Sequence, residues 1–172
     1  MPVSIRPICA EDALAFLDLT LALDRETPFM MLEPGERTTT VDEQRRRIET
    51  LLAADNQMIF VAVDPQAGII GFLGAYGGAY HRSHDTVHIV IGLRAAWTGQ
   101  GFGARLVEAM ESWARSWGAH RLELTVMCHN DRAAALYQKM GFQIEGIQTG
   151  SLKISGQYID QYAMSKILEQ TK

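Results

Sequence analysis

The sequence predicts an α/β chain in which one mixed sheet is covered by helices. Three observations carry this reading. Apolar runs of strand length and amphipathic stretches of helical period follow one another in the order β-α-α-β-β-β-α-β-α-β-β. Of the 172 residues, 47% are apolar, and a chain of this size removes about 70% of its unfolded surface from water. No repeat, linker or low-complexity segment interrupts the pattern, so residues 1–172 read as a single domain.

Residues 3–8 (VSIRPI) have the pattern of a short strand. Glu11 to Ala22 reads as a helix, with Leu14, Leu17 and Leu21 at helical spacing. Residues 24–35 contain two prolines and a glycine, which mark a connector. The same connector holds Phe29, Met30, Met31 and Leu32, so it is either a loop folded onto the core or a pocket wall. Thr40-Val41-Asp42-Glu43 has the capping-box pattern and opens a helix to about Ala53, with Ile48, Leu51 and Leu52 inward. Residues 58–63 (MIFVAV) read as a buried strand, turned at Asp64–Gly68 into a returning strand over 69–77. Residues 86–93 (TVHIVIGL) form the next strand.

Gly101 to Trp117 is the clearest helix, with Leu106, Met110, Trp113 and Trp117 on one face. Glu111 and Arg115 form a favourable i,i+4 pair outside that stripe, and Gly118 stops the helix. A strand over 121–126 follows. Asn130 caps a helix through Met140 that places Ala133, Leu136, Tyr137 and Met140 together. Residues 142–149 and 157–167 read as two last strands around a Ser155-Gly156 turn.

Composition removes several classes of function. Charged residues are 21% and the net charge is −4, which excludes a highly charged disordered chain and a broadly basic nucleic-acid binder. Cys9 and Cys128 do not make a disulfide framework. No apolar run approaches the ~18 residues of a membrane span, and the first residues (MPVSIRPICAEDA) lack the apolar stretch of a signal peptide. The expectation is a soluble cytoplasmic protein with no membrane and no nucleic-acid partner. His81, His84 and His88 have spacings that suit a metal only on one helix face; they fall on a loop and a strand, so no metal is expected.

The most informative stretch is Trp97-Thr98-Gly99-Gln100-Gly101-Phe102-Gly103-Ala104, between a strand and the long helix. Its glycines let the backbone turn with N–H groups pointing one way, and the helix start adds unpaired N–H groups and a positive dipole end. Together they suit a phosphate or diphosphate; a turn that only connects strand to helix is the alternative. A P-loop requires Gly-Lys-Ser/Thr, which is missing. The dinucleotide fingerprint is formally matched by Gly99, Gly101 and Ala104, with Glu123 about 20 residues on. Glu123, however, sits early in its strand, and too little chain follows for a six-stranded double winding.

Two motifs carry a resemblance. Thr98-Gly99-Gln100-Gly101-Phe102-Gly103 resembles the R/Q-x-x-G-x-G/A cradle of the GNAT superfamily of acetyl-CoA-dependent N-acetyltransferases, with Thr98 in place of Arg or Gln. Asn130 to Phe142 (NDRAAALYQKMGF) is similar to that family's N-x-x-A-x-x-L/F-Y-x-x-x-G-F. Both motifs occur in order, each at a strand–helix junction. Toward the C-terminus, Glu145-Gly146 and Gly156 to Met164 resemble small bacterial members that acetylate amino acids or other small amines. The resemblance implies a central mixed, mostly antiparallel sheet flanked by helices. It also implies direct acetyl transfer from acetyl-CoA to the primary amine of a small molecule, and it allows a homodimer. A protein N-terminal or lysine acetyltransferase and a non-catalytic acyl-CoA-binding module are the alternatives.

The resemblance also assigns roles. Backbone groups of Ile91 and Leu93 would hold the pantetheine arm. Thr98, Gly99, Gly101, Gly103 and Ala104 would seat the diphosphate, and Asn130 would hold the far side of the arm or its water. Tyr137 is the candidate acid: a phenol titrates near ~10 and a thiol near ~8.5, so the phenol keeps a proton for the departing thiolate. For the base, His88 has a suitable side chain, with Asp85 and a water relay as alternatives. Glu26, Phe29 and Met31 are the acceptor-side candidates, the acid for a cationic amine and the other two as pocket wall.

Overall fold

The computed structural model describes residues 2–169. Its strands are β1 (Ser4–Pro7), β2 (Gln57–Asp64), β3 (Gly68–Gly77), β4 (Thr86–Leu93), β5 (Arg121–Met127), β6 (Gln143–Ile154) and β7 (Gln157–Ile167). The helices are α1 (Ala13–Glu26), α2 (Val41–Leu52), α3 (Phe102–Trp117) and α4 (Asp131–Lys139), with single 3-10 turns at Ala10–Asp12 and Ala95–Trp97. The strands make one seven-stranded sheet in the order β1-β2-β3-β4-β5-β7-β6. All neighbours are antiparallel except β4 and β5, which are parallel with α3 as their crossover. The mixed, mostly antiparallel sheet expected from the sequence is what the chain builds.

Two apolar layers cover the sheet. On one face, α3 lays Leu106, Val107, Met110 and Ala114 against Val87, Ile89, Leu122 and Leu124. On the other, α1 and α2 bring Phe16, Leu19, Leu23 and Ile48 onto Ile59, Val61 and Phe72. Phe16 meets Phe72 edge-on at 5.2 Å.

Two boundaries and the facing of two leucines differ from the sequence expectation. α1 runs on to Glu26, and its buried stripe is Ala13, Phe16, Leu17, Thr20 and Leu23, while Leu14 is 56% exposed. Of the leucines at helical spacing Leu17 is buried as expected, while Ala13 and Phe16 take inward places that Leu14 does not. Leu52 likewise faces outward at the last residue of α2. β6 continues to Ile154, because its pairing with β7 resumes at Leu152↔Ile159 after an irregularity.

The feature that matters for function is where the sheet divides. β4 and β5 pair only at Thr86↔Arg121, Val87↔Leu122 and His88↔Glu123. Beyond that point β4 stays with β3 as far as Leu93, and β5 stays with β7 as far as Met127. Each strand follows its other neighbour, and a wedge opens between them. The inner edges of Ile89–Leu93 and of residues 124–127 are left without each other's hydrogen bonds, which backbone amides normally require.

Candidate active site

The wedge is the floor of a cavity of about 880 Å³. β4 and the end of β5 supply its sides, the Gly-rich turn and the start of α4 one end, and residues 27–32 its roof. His88, Ile91, Leu93, Thr98, Gly99, Gly101, Gly103, Ala104, Asn130 and Tyr137 all line it, as do Glu26, Phe29 and Met31. The fold thus brings the sequence-predicted site residues to one cleft, the alternative base Asp85 excepted.

At the glycine end, Gly99 and Gly101 take φ of +74° and +85°, where side chains are rarely tolerated. A Cβ on either would meet nothing within 4 Å, so the space over the turn is open. Gly101 caps α3 without any side-chain hydrogen bond. The first-turn amides of Phe102, Gly103 and Ala104 therefore keep their N–H groups for an anion. Gly103 has a different reason to be glycine: a Cβ there would stand 2.8 Å from Leu136 Cδ2. It lies within α3 and lets α4 pack close, rather than turning the chain.

Asn130 accepts a hydrogen bond from the Ala133 N–H through Oδ1 and so caps α4. Its amide NH₂ is what remains for a ligand. Tyr137 is 5% exposed and packs edge-on against Phe142 at 5.8 Å. Burial pushes its phenol above the ordinary value, so it stays protonated throughout the neutral range. Among the described residues, no group accepts its proton.

His88 stands one step before the strands part, opposite Tyr76 on β3 and Glu123 on β5. The alternation of β4 puts it on the α1–α2 face, while Val87 and Ile89 face α3. Asp85 lies off the cleft, where its carboxylate holds His84 Nδ1 at 2.8 Å, so it is removed as a base. Cys9 and Cys128 are free thiols, and burial pushes both above the ordinary value.

The acceptor side differs most from expectation. The Glu26 carboxylate is not free for an ammonium group, because Oε1 accepts from Arg94 Nε at 2.7 Å and Oε2 from the Ala95 N–H at 3.0 Å. It clasps the end of α1 to the end of β4. Met31 is 69% exposed and forms rim rather than wall. Met30 takes the inward position, packed against the core over Gly92. Phe29 reaches across to His129, with ring centroids 5.2 Å apart.

Sequence reasoning missed the polar lining. Arg37 lines the cavity, with Nε and Nη2 donating to Asp24 at 2.7 and 3.0 Å. Asp24 is 2% exposed, so this pair pins the roof to α1. Gln161 on β7 donates to Thr125 Oγ1 at 3.4 Å and accepts from Ser151 Oγ at 3.0 Å. The β5–β7 and β6–β7 registers bring these together, and no local spacing announces it.

Comparison with known proteins agrees with this architecture. Residues 21–142 match the model of the acetyltransferase (GNAT) family. The uncharacterized N-acetyltransferase YdgE of Bacillus subtilis is 30% identical over 95 residues, 55% of this chain and 60% of the relative. The L-amino acid N-acetyltransferase AaaT of Escherichia coli is 33% identical over 72 residues, 41% of this chain and 44% of the relative. The chain thus matches 44–60% of the length of these two relatives. A GNAT-family acetyltransferase of Streptococcus pneumoniae superposes with a TM-score of 0.93 at 29% identity, covering 97% of this chain and 100% of the other.

Proposed function

This chain belongs to the GNAT acetyltransferase family, and on that premise we propose that it moves an acetyl group from acetyl-CoA directly to the primary amine of a small molecule such as an amino acid. One observation carries the reading. The parted β4 edge leads straight to the uncapped start of α3, so unpaired strand amides and unpaired helix amides form one continuous track. An extended, amide-bearing arm ending in a diphosphate has the chemistry to satisfy both.

Acetyl-CoA supplies a thioester whose acyl carbon bonds to nitrogen as the carbon–sulfur bond breaks. The backbone of Ile91 and Leu93 holds the arm in line, and Gly99, Gly101, Gly103 and Ala104 seat the diphosphate. Holding both reactants in the wedge accounts for much of the rate. His88, on the α1–α2 face, takes the proton the amine must lose. Tyr137, from the α3–α4 face, gives a hydrogen bond and then a proton to the sulfur. Burial holds the phenol protonated until the thiolate forms beside it.

A small acceptor is favoured over a peptide by the roof. Residues 27–32 cover the same cavity, and the Phe29–His129 contact bridges it. The test is thiol release from acetyl-CoA in the presence of amino acids, polyamines, aminoglycosides and peptides in parallel. Turnover with a free amine is expected. Turnover with peptides alone would make this a protein acetyltransferase, and tight binding without thiol release would make it an acyl-CoA-binding module. His88→Gln is expected to lower kcat/KM about 100-fold; an unchanged value assigns proton removal to water.

A further inference from the structure

The glycine turn departs from the family pattern at its first position, where Thr98 replaces Arg or Gln. The structure brings a guanidinium to that spot from another element. Arg132, the second residue of α4, donates from Nη1 to Thr98 Oγ1 at 2.5 Å. The hydroxyl's own proton goes to the Ala95 carbonyl at 2.9 Å. A hydroxyl used in both directions has a fixed orientation, and so fixes the arginine it receives. Thr98 and Arg132 both line the cleft beside Gly99 and Gly101.

Charge distinguishes Arg132 from the other arginine lining the cleft. Arg37 is bound through two donors to Asp24. Arg132 has only a neutral partner, and among the described residues no carboxylate lies within ion-pair distance of it. Its neighbour Asp131 also borders the cleft, and its carboxylate offsets part of that positive charge. A planar guanidinium has five N–H donors. One is spent on Thr98, and the rest are left in the cleft beside Gly99 and Gly101, next to the open amides at the start of α3.

We propose that Arg132 is the side-chain ligand of the coenzyme's diphosphate in this chain, and that Thr98 is the positioning residue that holds it there. The residue exchanged at position 98 is compensated in space, from thirty-four residues away in sequence. This rests on the coenzyme A reading above. It assigns Arg132 to the diphosphate rather than to the ribose phosphate, because the bond to Thr98 keeps the guanidinium at the mouth of the Gly99–Gly101 turn.

The experiment is calorimetric titration of CoA and of dephospho-CoA, which keeps the diphosphate but lacks the ribose phosphate. The proteins are the unaltered chain, Arg132→Ala, Thr98→Val, the double variant, and Arg132→Ala combined with Thr98→Arg. Melting temperatures without ligand verify folding. Arg132→Ala is expected to weaken both ligands by the same factor, about 10- to 100-fold, as for loss of a charge-assisted hydrogen bond. Thr98→Val is expected to cost a smaller factor alone and nothing further once Arg132 is gone. An arginine at position 98 is expected to recover most of the lost affinity.

Equal affinity after Arg132→Ala overturns the proposal. So does a loss seen with CoA but not with dephospho-CoA, which assigns Arg132 to the ribose phosphate. An equal cost of Thr98→Val with and without Arg132 overturns the positioning role. If the unaltered chain binds neither ligand, the coenzyme reading itself fails and this proposal with it. Binding by the unaltered chain that survives Arg132→Ala removes this proposal alone.

Discussion

α2 and α4 begin under side chains: Thr40 accepts from the Glu43 N–H and Asn130 from the Ala133 N–H. α3, the longest helix, begins under Gly101, which has nothing to offer its first-turn amides. Glycine in place of such a cap costs only a few tenths of a kcal/mol, so α3 gives up little stability by leaving its first-turn amides open beside the cleft's glycine turn. The opposite end of the cleft is made of side chains instead. Arg37, His88, Thr125 and Gln161 come from four separate segments and meet only through the sheet register and the roof. One end offers mainly backbone amides, whose geometry any sequence with the right glycines can reproduce, with the Arg132 side chain beside them. The other offers side chains, some of which, such as Arg37, also hold the fold together.

The sharpest way to break this comparison is to cap the open helix. Gly101→Asp supplies an acceptor to the first-turn amides and a negative charge at the dipole's positive end. Aspartate tolerates left-handed backbone better than most residues but is still strained at φ +85°, so a modestly lower melting temperature is expected. CoA affinity, measured by titration, is expected to fall about 100-fold or more, some 2.7 kcal/mol. Unchanged affinity would mean that the α3 amides are not the diphosphate seat.

A loss of a different kind, in turnover rather than in coenzyme affinity, is expected from Tyr137→Phe. The ring stays packed on Phe142, so CoA affinity should hold. Loss of a general acid costs roughly 100-fold in kcat. A kcat that stays level while KM rises would make Tyr137 a packing residue with a hydroxyl at the cleft wall.

That asymmetry also decides what the sequence discloses. The order of elements, the turn at Thr98–Gly103 and the Asn130–Phe142 stretch are local patterns, and each lands where its spacing predicts. Glu26 is local too, but its partner Arg94 lies 68 residues away, and no pattern warned that its charge was taken. Met30 and Met31 are adjacent and chemically identical, yet one faces in and the other is 69% exposed. In a connector without period, only the packed chain decides between them. Gln161 and Thr125 became neighbours through strand pairing, the least local feature of the fold.

The acceptor end is expected to answer to the Asp24–Arg37 pair. Arg37→Ala leaves a carboxylate that is 2% exposed without its partner. Breaking such a pair costs about 3 kcal/mol when both groups are buried, and somewhat less here because Arg37 is 15% exposed. A lower melting temperature is therefore expected, together with a raised KM for the amine and little change in CoA affinity. If CoA affinity fell as much as amine KM rose, the two ends would share one scaffold and the division between them would fail.

The smallest effect belongs to the hinge from which both ends diverge. Arg121, in the first of the three β4–β5 pairs, donates to Glu123 and to both oxygens of Glu145 on β6. Ser165 on β7 adds a hydrogen bond to Glu145 at 2.6 Å. Arg121 first, and then Ser165, hold the Glu145 carboxyl down at about 2. Its folded value is below its unfolded one, so the stabilisation is fully present above about pH 4.5 and drains away as pH falls toward 2. Asp12, held at about 2 chiefly by Arg6, titrates over the same acidic range. Glu145→Gln should therefore flatten, but not abolish, the loss of thermal stability between pH 4.5 and 2, and leave the melting temperature near pH 7 only slightly lower, because the group is exposed. An unaltered acid profile in that variant would mean that the cluster joining β5, β6 and β7 carries no stability, and that the wedge opens where it does through backbone register alone.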